Sequence, residues 1–245
     1  MIPHHEIAGH GPPVLMGSSL GTTLHMWDAQ LPLAERFRLI RYDHRGHGGS
    51  SSPPGPYEIA DLARDVLELG VDRAHCVGLS IGGMVGMWLA ANAPERIDRL
   101  VVICTSALMG PASMWQERAA KVLEAASTEP IADPVVDRWL TPGFAAEHPD
   151  ARAKLRAMLT SADPEGYAAC CGAIERMDLR EELGRIAAPT LVISGADDLA
   201  TPVEHQRLIA AAIPGARHEI VSPAAHIAAV EQADAINRLI EEHLS

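Results

Sequence analysis

Hydrophobic positions along the chain follow two alternating patterns, one typical of buried strands and one of amphipathic helices. Short strand-like segments occur at residues 14–16, 37–42, 75–79, 100–104, 189–194 and 218–221, and those at 14–16 and 100–104 are continuous apolar runs. Apolar residues with helical spacing occur at 57–69, 84–93, 204–213 and 227–244. Uninterrupted apolar strands alternating with helices are typical of a parallel sheet covered by helices on both faces. The pattern therefore predicts an α/β fold.

One long segment departs from this alternation. Between residue 106 and about residue 186 the chain has only helical segments, at 114–126, 134–140, 151–160 and 164–177, with prolines between them. We therefore predict an α/β core in two parts, residues 1–106 and 187–245, with an inserted helical cap at 107–186. The cap is expected to lie as a lid over the carboxyl edge of a mostly parallel sheet.

Composition and charge exclude several classes of partner. The chain has 245 residues, of which 47% are hydrophobic and 21% charged, as in ordinary globular proteins. No apolar run approaches the roughly 20 residues of a membrane span, and Met1–His5 shows no secretory pattern, so we expect a cytoplasmic protein. The net charge of −12 opposes binding to nucleic acid or anionic lipid, so an anionic substrate would need a local cation.

The sequence predicts neither a metal site nor a cofactor. The segment 41–48 carries two histidines, an aspartate and an arginine, but their spacing is irregular and the glycines favour a structural loop. We expect its charges to pair among themselves. The cysteines have neither a zinc spacing nor a disulfide framework, so buried free thiols are expected at Cys76, Cys104, Cys170 and Cys171.

The segment Gly78-Leu79-Ser80-Ile81-Gly82 joins a predicted strand to a predicted helix. Such a sharp turn exposes a serine hydroxyl as a nucleophile, and glycine is needed two residues to either side because a Cβ there would clash. The free N–H groups of the helix N-terminus point to where an oxyanion would form. If no base and no acid lie near this serine, the segment is instead a glycine-rich turn without a catalytic role.

Candidate partners follow two of the last predicted strands. Asp198 and His226 each lie in a loop after a strand, and such loops gather at one edge of a parallel sheet, where Ser80 also lies. An imidazole oriented by a buried carboxylate is what a serine nucleophile needs. Asp197 is the competing acid. The loop at 17–23 follows the first strand, and the N–H of Leu20 is expected to face the serine.

Several segments match one group of hydrolases. In the core they are Gly-Ser-Ser-Leu-Gly-Thr at 17–22, Arg-Tyr-Asp-His-Arg-Gly-His-Gly at 41–48, Gly-Leu-Ser-Ile-Gly-Gly at 78–83, and 195–202, 225–226 and 231–232. In the cap they are Arg-Trp-Leu-Thr-Pro-Gly-Phe at 138–144, His-Pro at 148–149 and Gly-Tyr-Ala-Ala-Cys at 166–170. On these segments the whole chain resembles the α/β-hydrolases with a helical cap and, among them, the 3-oxoadipate enol-lactonases of aromatic catabolism. Ala233 departs from the proline common in relatives.

This resemblance implies a site and a reaction. It implies that Ser80 is the nucleophile, Asp198 the acid and His226 the base, and that the N–H groups of Leu20 and Ile81 form the oxyanion hole. The substrate would be a small anionic lactone with a carboxymethyl group, opened to 3-oxoadipate without a cofactor.

The substrate carboxylate then needs a partner in the cap. Arg138 and Trp139 are the candidates because they offer a guanidinium fork and an indole N–H, and the alternative is an exposed arginine beside a packed tryptophan. Direct activation of water by His226 stays open as a route. A general carboxylesterase, a carbon–carbon bond hydrolase and a non-catalytic binding protein are the alternatives for the whole chain.

Overall fold

The computed structural model describes all 245 residues and places seven strands in one sheet. The strands are β1 (His5–Ala8), β2 (Pro13–Gly17), β3 (Arg38–Tyr42), β4 (Ala74–Leu79), β5 (Ile97–Ile103), β6 (Thr190–Gly195) and β7 (Arg217–Val221). They are ordered β1-β3-β2-β4-β5-β6-β7, and only β1 and β3 pair antiparallel. This topology confirms the predicted mostly parallel sheet.

Ten α-helices surround the sheet or connect its strands. They are α1 (Ile59–Leu67), α2 (Ile81–Asn92), α3 (Ala112–Ala125), α4 (Ala132–Val136), α5 (Pro142–Glu147), α6 (Pro149–Thr160), α7 (Pro164–Arg176), α8 (Val203–Ala212), α9 (Ala228–Glu231) and α10 (Ala233–Leu244). Every residue of β4 and β6 is buried, because the centre of the sheet is covered on both faces. None of the helices is both long and apolar enough to cross a bilayer.

The segment between β5 and β6 contains α3 to α7. Its two ends meet at an antiparallel bridge between Leu108 and Asp178, and the Leu179 N–H donates to the Ala107 carbonyl at 2.8 Å. Within the segment α3 packs against α7, and α4 packs against α6. The segment thus leaves and rejoins the sheet at one place.

Several elements differ from the sequence-based expectation, among them a 3-10 helix over Leu24–Glu35 that was not predicted. The edge strand β1 was not predicted, because its side chains are partly exposed and its pairing is made by the backbone. The helix predicted at 134–140 ends at Val136, and a further helix, α5, begins at Pro142 after its N-cap Thr141. The single closing helix is divided at Gln232, whose side-chain amide donates to the Pro223 carbonyl at 2.7 Å.

All four cysteines are free and buried, as predicted. Burial raises the pKa of the Cys76 thiol to about 12, so this thiol stays protonated at neutral pH. No group of three or more His, Cys, Asp or Glu side chains is arranged to hold a metal ion.

Candidate active site

Ser80 occupies a strained turn between β4 and α2. Its backbone angles are φ 57° and ψ −118°, a conformation that is costly for any residue with a side chain. Two hydrogen bonds fix the turn: the Ser80 N–H donates to the Ile103 carbonyl at 3.0 Å, and the Thr105 hydroxyl donates to the Ser80 carbonyl at 2.6 Å. The backbone therefore holds the serine side chain out of both the strand and the helix.

The glycines around this turn are required by close backbone contacts. A Cβ at Gly78 would overlap the Gly82 carbonyl, and a Cβ at Gly82 would overlap the backbone of Gly17 at the end of β2. The first helical turn of α2 can approach both strands only because these Cβ atoms are absent.

His226 and Asp198 form a buried pair at the same edge of the sheet. The Nδ1 atom of His226 lies 2.9 Å from Asp198 Oδ2. The Thr201 hydroxyl donates to the same oxygen at 2.7 Å, and the N–H groups of Ala200 and Thr201 donate to Oδ1 at 2.7 and 3.0 Å. Burial raises the pKa of Asp198, but His226 and these hydrogen bonds outweigh it and hold the pKa below its ordinary value. A charged Asp198 makes Nδ1 a donor and leaves Nε2 free to accept a proton.

The neighbouring acid has a different environment. Asp197 is exposed, its N–H donates to the Ala224 carbonyl at 2.8 Å, and its Oδ2 accepts from the Ala224 N–H at 3.2 Å. Asp197 thus fastens the loop that carries His226, whereas the imidazole itself contacts Asp198.

Ser80 and His226 line one cavity between the sheet edge and the helical segment. The Ser80 hydroxyl makes no hydrogen bond within the protein, either to His226 or to any other residue, and Ser80 lines the cavity together with His226. The other lining residues are Ser19, Leu20, Met84, Met109, Met114, Trp115, Arg118, Val135, Arg138, Trp139, Ile174, Ala200 and Thr201. The lining is mainly apolar, with two arginines and no acidic side chain.

Two backbone N–H groups near Ser80 have no acceptor in the protein: that of Leu20, which lines the cavity, and that of Ile81, which follows Ser80 in the chain. Ile81 is the first residue of α2, so its N–H has no partner inside the helix. Leu20 lies in the loop after β2, and its N–H donates no hydrogen bond. Such groups can stabilise an oxyanion that forms beside Ser80.

The loop that carries Leu20 is pinned by a buried histidine. The Ser18 carbonyl lies 3.1 Å from His44 Nε2 and accepts from the Gly82 N–H at 3.2 Å. Burial lowers the pKa of His44 to about 4, so its imidazole is neutral at pH 7. A neutral ring that donates from Nε2 satisfies the Ser18 carbonyl without placing a charge in the core.

The segment 41–48 is structural, but the expectation that its charges pair among themselves is wrong. Asp43 accepts from the Leu24 N–H at 2.6 Å, and Arg45 donates to Asp65 on α1 at 2.9 Å. The loop is packed between other parts of the chain, so its buried polar groups find partners there. It therefore fastens neighbouring segments to the sheet edge.

Arg138 and Trp139 both lie in the cavity wall. Arg138 is half-buried, and its Nη2 donates to the Leu199 carbonyl at 3.1 Å. Trp139 is buried, and its carbonyl accepts from the Ile227 N–H at 2.9 Å, directly after His226 in the chain. The structure therefore brings both candidates to the cavity and connects them to the loops of Asp198 and His226.

Sequence analysis did not single out three further side chains around this site. Arg118 on α3 enters the cavity wall, and Thr201 donates to Asp198 as described above. Glu231 is buried and accepts from the N–H and the hydroxyl of Thr141, both at 2.7 Å, and from the Ala225 N–H. Thr201 could have been found from the sequence because its hydroxyl lies three residues after an aspartate, where it can donate to the carboxylate. Glu231 could have been found as an acid on the apolar face of a helix, where a buried carboxylate needs partners.

Comparison with known proteins gives consistent matches along nearly the whole chain. Residues 12–233 match the family described as alpha/beta hydrolase fold. The chain is 41% identical to 3-oxoadipate enol-lactonase 2 of Acinetobacter baylyi over 94% of this chain and 87% of that protein. It superposes on the enol-lactonase of Burkholderia xenovorans LB400 with a TM-score of 0.95 and 40% identity, covering 98% and 95% of the two chains. It is also 32% identical to a putative carbamate hydrolase of Azorhizobium caulinodans over 97% and 92% of the two chains.

Proposed function

Since this chain belongs to the alpha/beta hydrolase family, we propose that it is a serine hydrolase that opens 3-oxoadipate enol-lactone to 3-oxoadipate. The observation that carries the proposal is the buried His226–Asp198 pair, whose imidazole lines the same cavity as Ser80 in its strained turn. The similarity to two enol-lactonases supports the choice of substrate. We assign the reaction to cytoplasmic aromatic catabolism.

In the first step Ser80 Oγ attacks the ring carbonyl while His226 Nε2 takes the hydroxyl proton. Asp198 stabilises the resulting imidazolium through Nδ1, at the 2.9 Å contact already described. The N–H groups of Leu20 and Ile81 stabilise the developing oxyanion, and losing one such donor costs roughly 3 to 4 kcal/mol of barrier. The tetrahedral intermediate then collapses with cleavage of the ring C–O bond.

The ring oxygen leaves as an enol after accepting the proton from His226, and the enol ketonises to the 3-oxo group. Water then attacks the acyl-enzyme with His226 again as base and releases the carboxylate product. Direct attack of an activated water would need no acyl-enzyme. Rapid acid quenching during turnover, followed by mass analysis of the Ser80 peptide, separates the routes, because only the covalent route adds the acyl mass to it.

We further propose that residues 107–186 are a lid and that Arg138 and Trp139 of this lid contact the substrate carboxylate. Their position in the cavity wall, beside the loops of Asp198 and His226, supports this role. The variants Arg138→Ala and Trp139→Phe should raise the KM for the carboxylated lactone. An unchanged KM in both variants would reject these contacts.

A substrate panel tests the proposed function. The purified protein should consume the enol-lactone, followed by its ultraviolet absorbance, with a far higher kcat/KM than p-nitrophenyl acetate. Equal rates for both esters would instead support a general carboxylesterase. A small carbamate belongs in the panel because of the carbamate hydrolase relative, and preference for it would replace the lactone proposal.

A further inference from the structure

The charged side chains in the wall of the cavity next to Ser80 have the opposite sign to the net charge of the protein. The protein carries a net charge of −12, yet the charged side chains in the cavity wall are Arg118 and Arg138. Neither forms a salt bridge, whereas the arginines at the outer surface of the same segment do. Arg152 and Arg156, for example, both contact Asp133. Two unneutralised guanidinium groups beside a catalytic cavity point to an anionic ligand.

These two arginines also mark where the cavity opens. Met114 and Arg118 on α3, together with Val135 and Arg138, line both the inner cavity and a groove on the outer surface. The groove is completed by Glu117, Lys121, Pro130, Ile131 and Pro134. The four shared side chains therefore form the boundary between solvent and the cavity, at a mouth between α3 and the α4 segment.

Arg118 is oriented at this mouth by an aromatic ring. Its guanidinium carbon lies 4.8 Å from the ring centroid of Trp115, which supports one flat face of the cation. Stacking leaves the in-plane N–H groups at the edge of the cation, where the Tyr167 hydroxyl is a neighbour and no carboxylate of the protein pairs with them. These are the groups that bind a carboxylate in bidentate fashion. The Trp115 Nε1–H is buried without a hydrogen-bond partner, so a second donor beside Arg118 also lacks an acceptor.

Arg138 lines the same opening, and it also lines a second outer groove together with Leu199. One of its terminal nitrogens, Nη2, is engaged with the Leu199 carbonyl, in the loop directly after Asp198. Its other N–H groups have no acceptor in the protein. Arg138 is thus held near the acid of the site while it keeps donors for a ligand.

We propose that Arg118 and Arg138 form a carboxylate-binding mouth between α3 and the α4 segment, which selects esters and lactones that carry a free carboxylate. The two guanidinium groups hold the carboxylate at the mouth while the reacting carbonyl lies deeper, against Ser80. This proposal rests on the proposed hydrolase function and adds to it a selectivity for charge that is independent of the lactone ring.

A pair of chromogenic esters that differ in charge tests the mouth. The anionic probe is the 4-nitrophenyl monoester of glutarate, and the neutral probe is the same compound with its carboxylate methylated. In Arg118→Gln and in Arg138→Gln, kcat/KM for the anionic probe should fall at least about tenfold, mainly through KM. The neutral probe should change less than about twofold, which also shows that each variant is folded with an intact site. Arg118→Lys should restore part of the loss.

The matched control is Arg238→Gln, which removes the same charge from the exposed side of α10 and should leave both probes unchanged. Raising the salt from about 20 to about 300 mM should slow the anionic probe in the wild type more than in the double arginine variant. Equal losses of kcat/KM for both probes in the arginine variants, or no loss for either probe, would overturn the proposed carboxylate-binding mouth.

The outcomes also separate this inference from the proposed function. If the wild-type protein favours the anionic probe but leaves the enol-lactone intact, the carboxylate-binding mouth is supported and the lactonase proposal is rejected. If the enol-lactone is opened equally well with and without Arg118, the lactonase proposal is supported and the carboxylate-binding mouth is rejected.

Discussion

The buried imidazole of His44 should make the stability of this protein fall in mild acid. His44 is 3% exposed, and its Nε2 lies 3.1 Å from the Ser18 carbonyl. Burial lowers its pKa from 6.5 to about 4. The unfolded chain therefore binds a proton between these two pH values while the folded protein does not, so stability is complete above pH 6.5 and is lost as the pH falls toward 4.

The size of this effect follows from the two pKa values. Each unit of difference corresponds to about 1.4 kcal/mol, so the full contribution is about 3 kcal/mol. Most of it is lost before the folded-state pKa is reached. Between pH 8 and pH 5 the free energy of unfolding should fall by about 2 kcal/mol through His44 alone.

Urea unfolding at pH 8 and pH 5 measures this contribution when the wild type is compared with His44→Gln. Glutamine keeps an N–H donor for the Ser18 carbonyl but does not titrate. All other titrating groups are common to both proteins, so their contributions cancel in the comparison. The variant should lose about 2 kcal/mol less than the wild type over this range. Equal losses in the two proteins would refute the assignment of a neutral, buried His44.

Three further substitutions test the contacts around the site. Asp198→Asn should lower kcat about 10⁴-fold because the imidazole loses its orienting charge, whereas Asp197→Asn should stay within a few-fold in the same assay. Glu231→Gln should lower the free energy of unfolding, measured in urea, by about 2 kcal/mol, because one oxygen of a buried acceptor is replaced by an amide donor. The control Glu204→Gln, at an exposed position, should change it by less than about 0.5 kcal/mol. Thr201→Val should lower kcat several-fold and Thr201→Ser should restore it, and an unaltered valine variant would contradict a role in holding Asp198.

The parallel core could be predicted because its strands and turns carry strong local signals. Strands buried on both faces are continuous apolar runs, and the turn at Ser80 needs glycines that leave no room for a Cβ. β1 has no such signal, because a short edge strand with partly exposed side chains is stabilised by its backbone pairing with β3. The break at Gln232 has no local signal, because glutamine is a good helix former and its contact with Pro223 comes from the preceding loop.

The site could be predicted only in part for a similar reason. The placement of Ser80, Asp198 and His226 at one edge of the sheet could be predicted, because loops that follow parallel strands gather there. The residue pattern alone left Asp197 and Asp198 as competing acids, and the resemblance pointed to Asp198. Which carboxylate contacts the imidazole depends on the backbone path of their loop, and this path cannot be read from two adjacent aspartates. The position of Arg118 in the cavity wall depends on how α3 packs, and its charge alone gives no sign of this.

The central claim is that Ser80 supplies the nucleophile that opens the enol-lactone. Its most direct test is the ultraviolet decay of purified 3-oxoadipate enol-lactone with equal amounts of wild-type protein and Ser80→Ala, after both have been shown to be folded. We predict rapid decay with the wild type and a rate about 10⁴- to 10⁶-fold lower with the variant. A variant as fast as the wild type, or a wild type that leaves the lactone at its spontaneous rate of decay, would contradict the account.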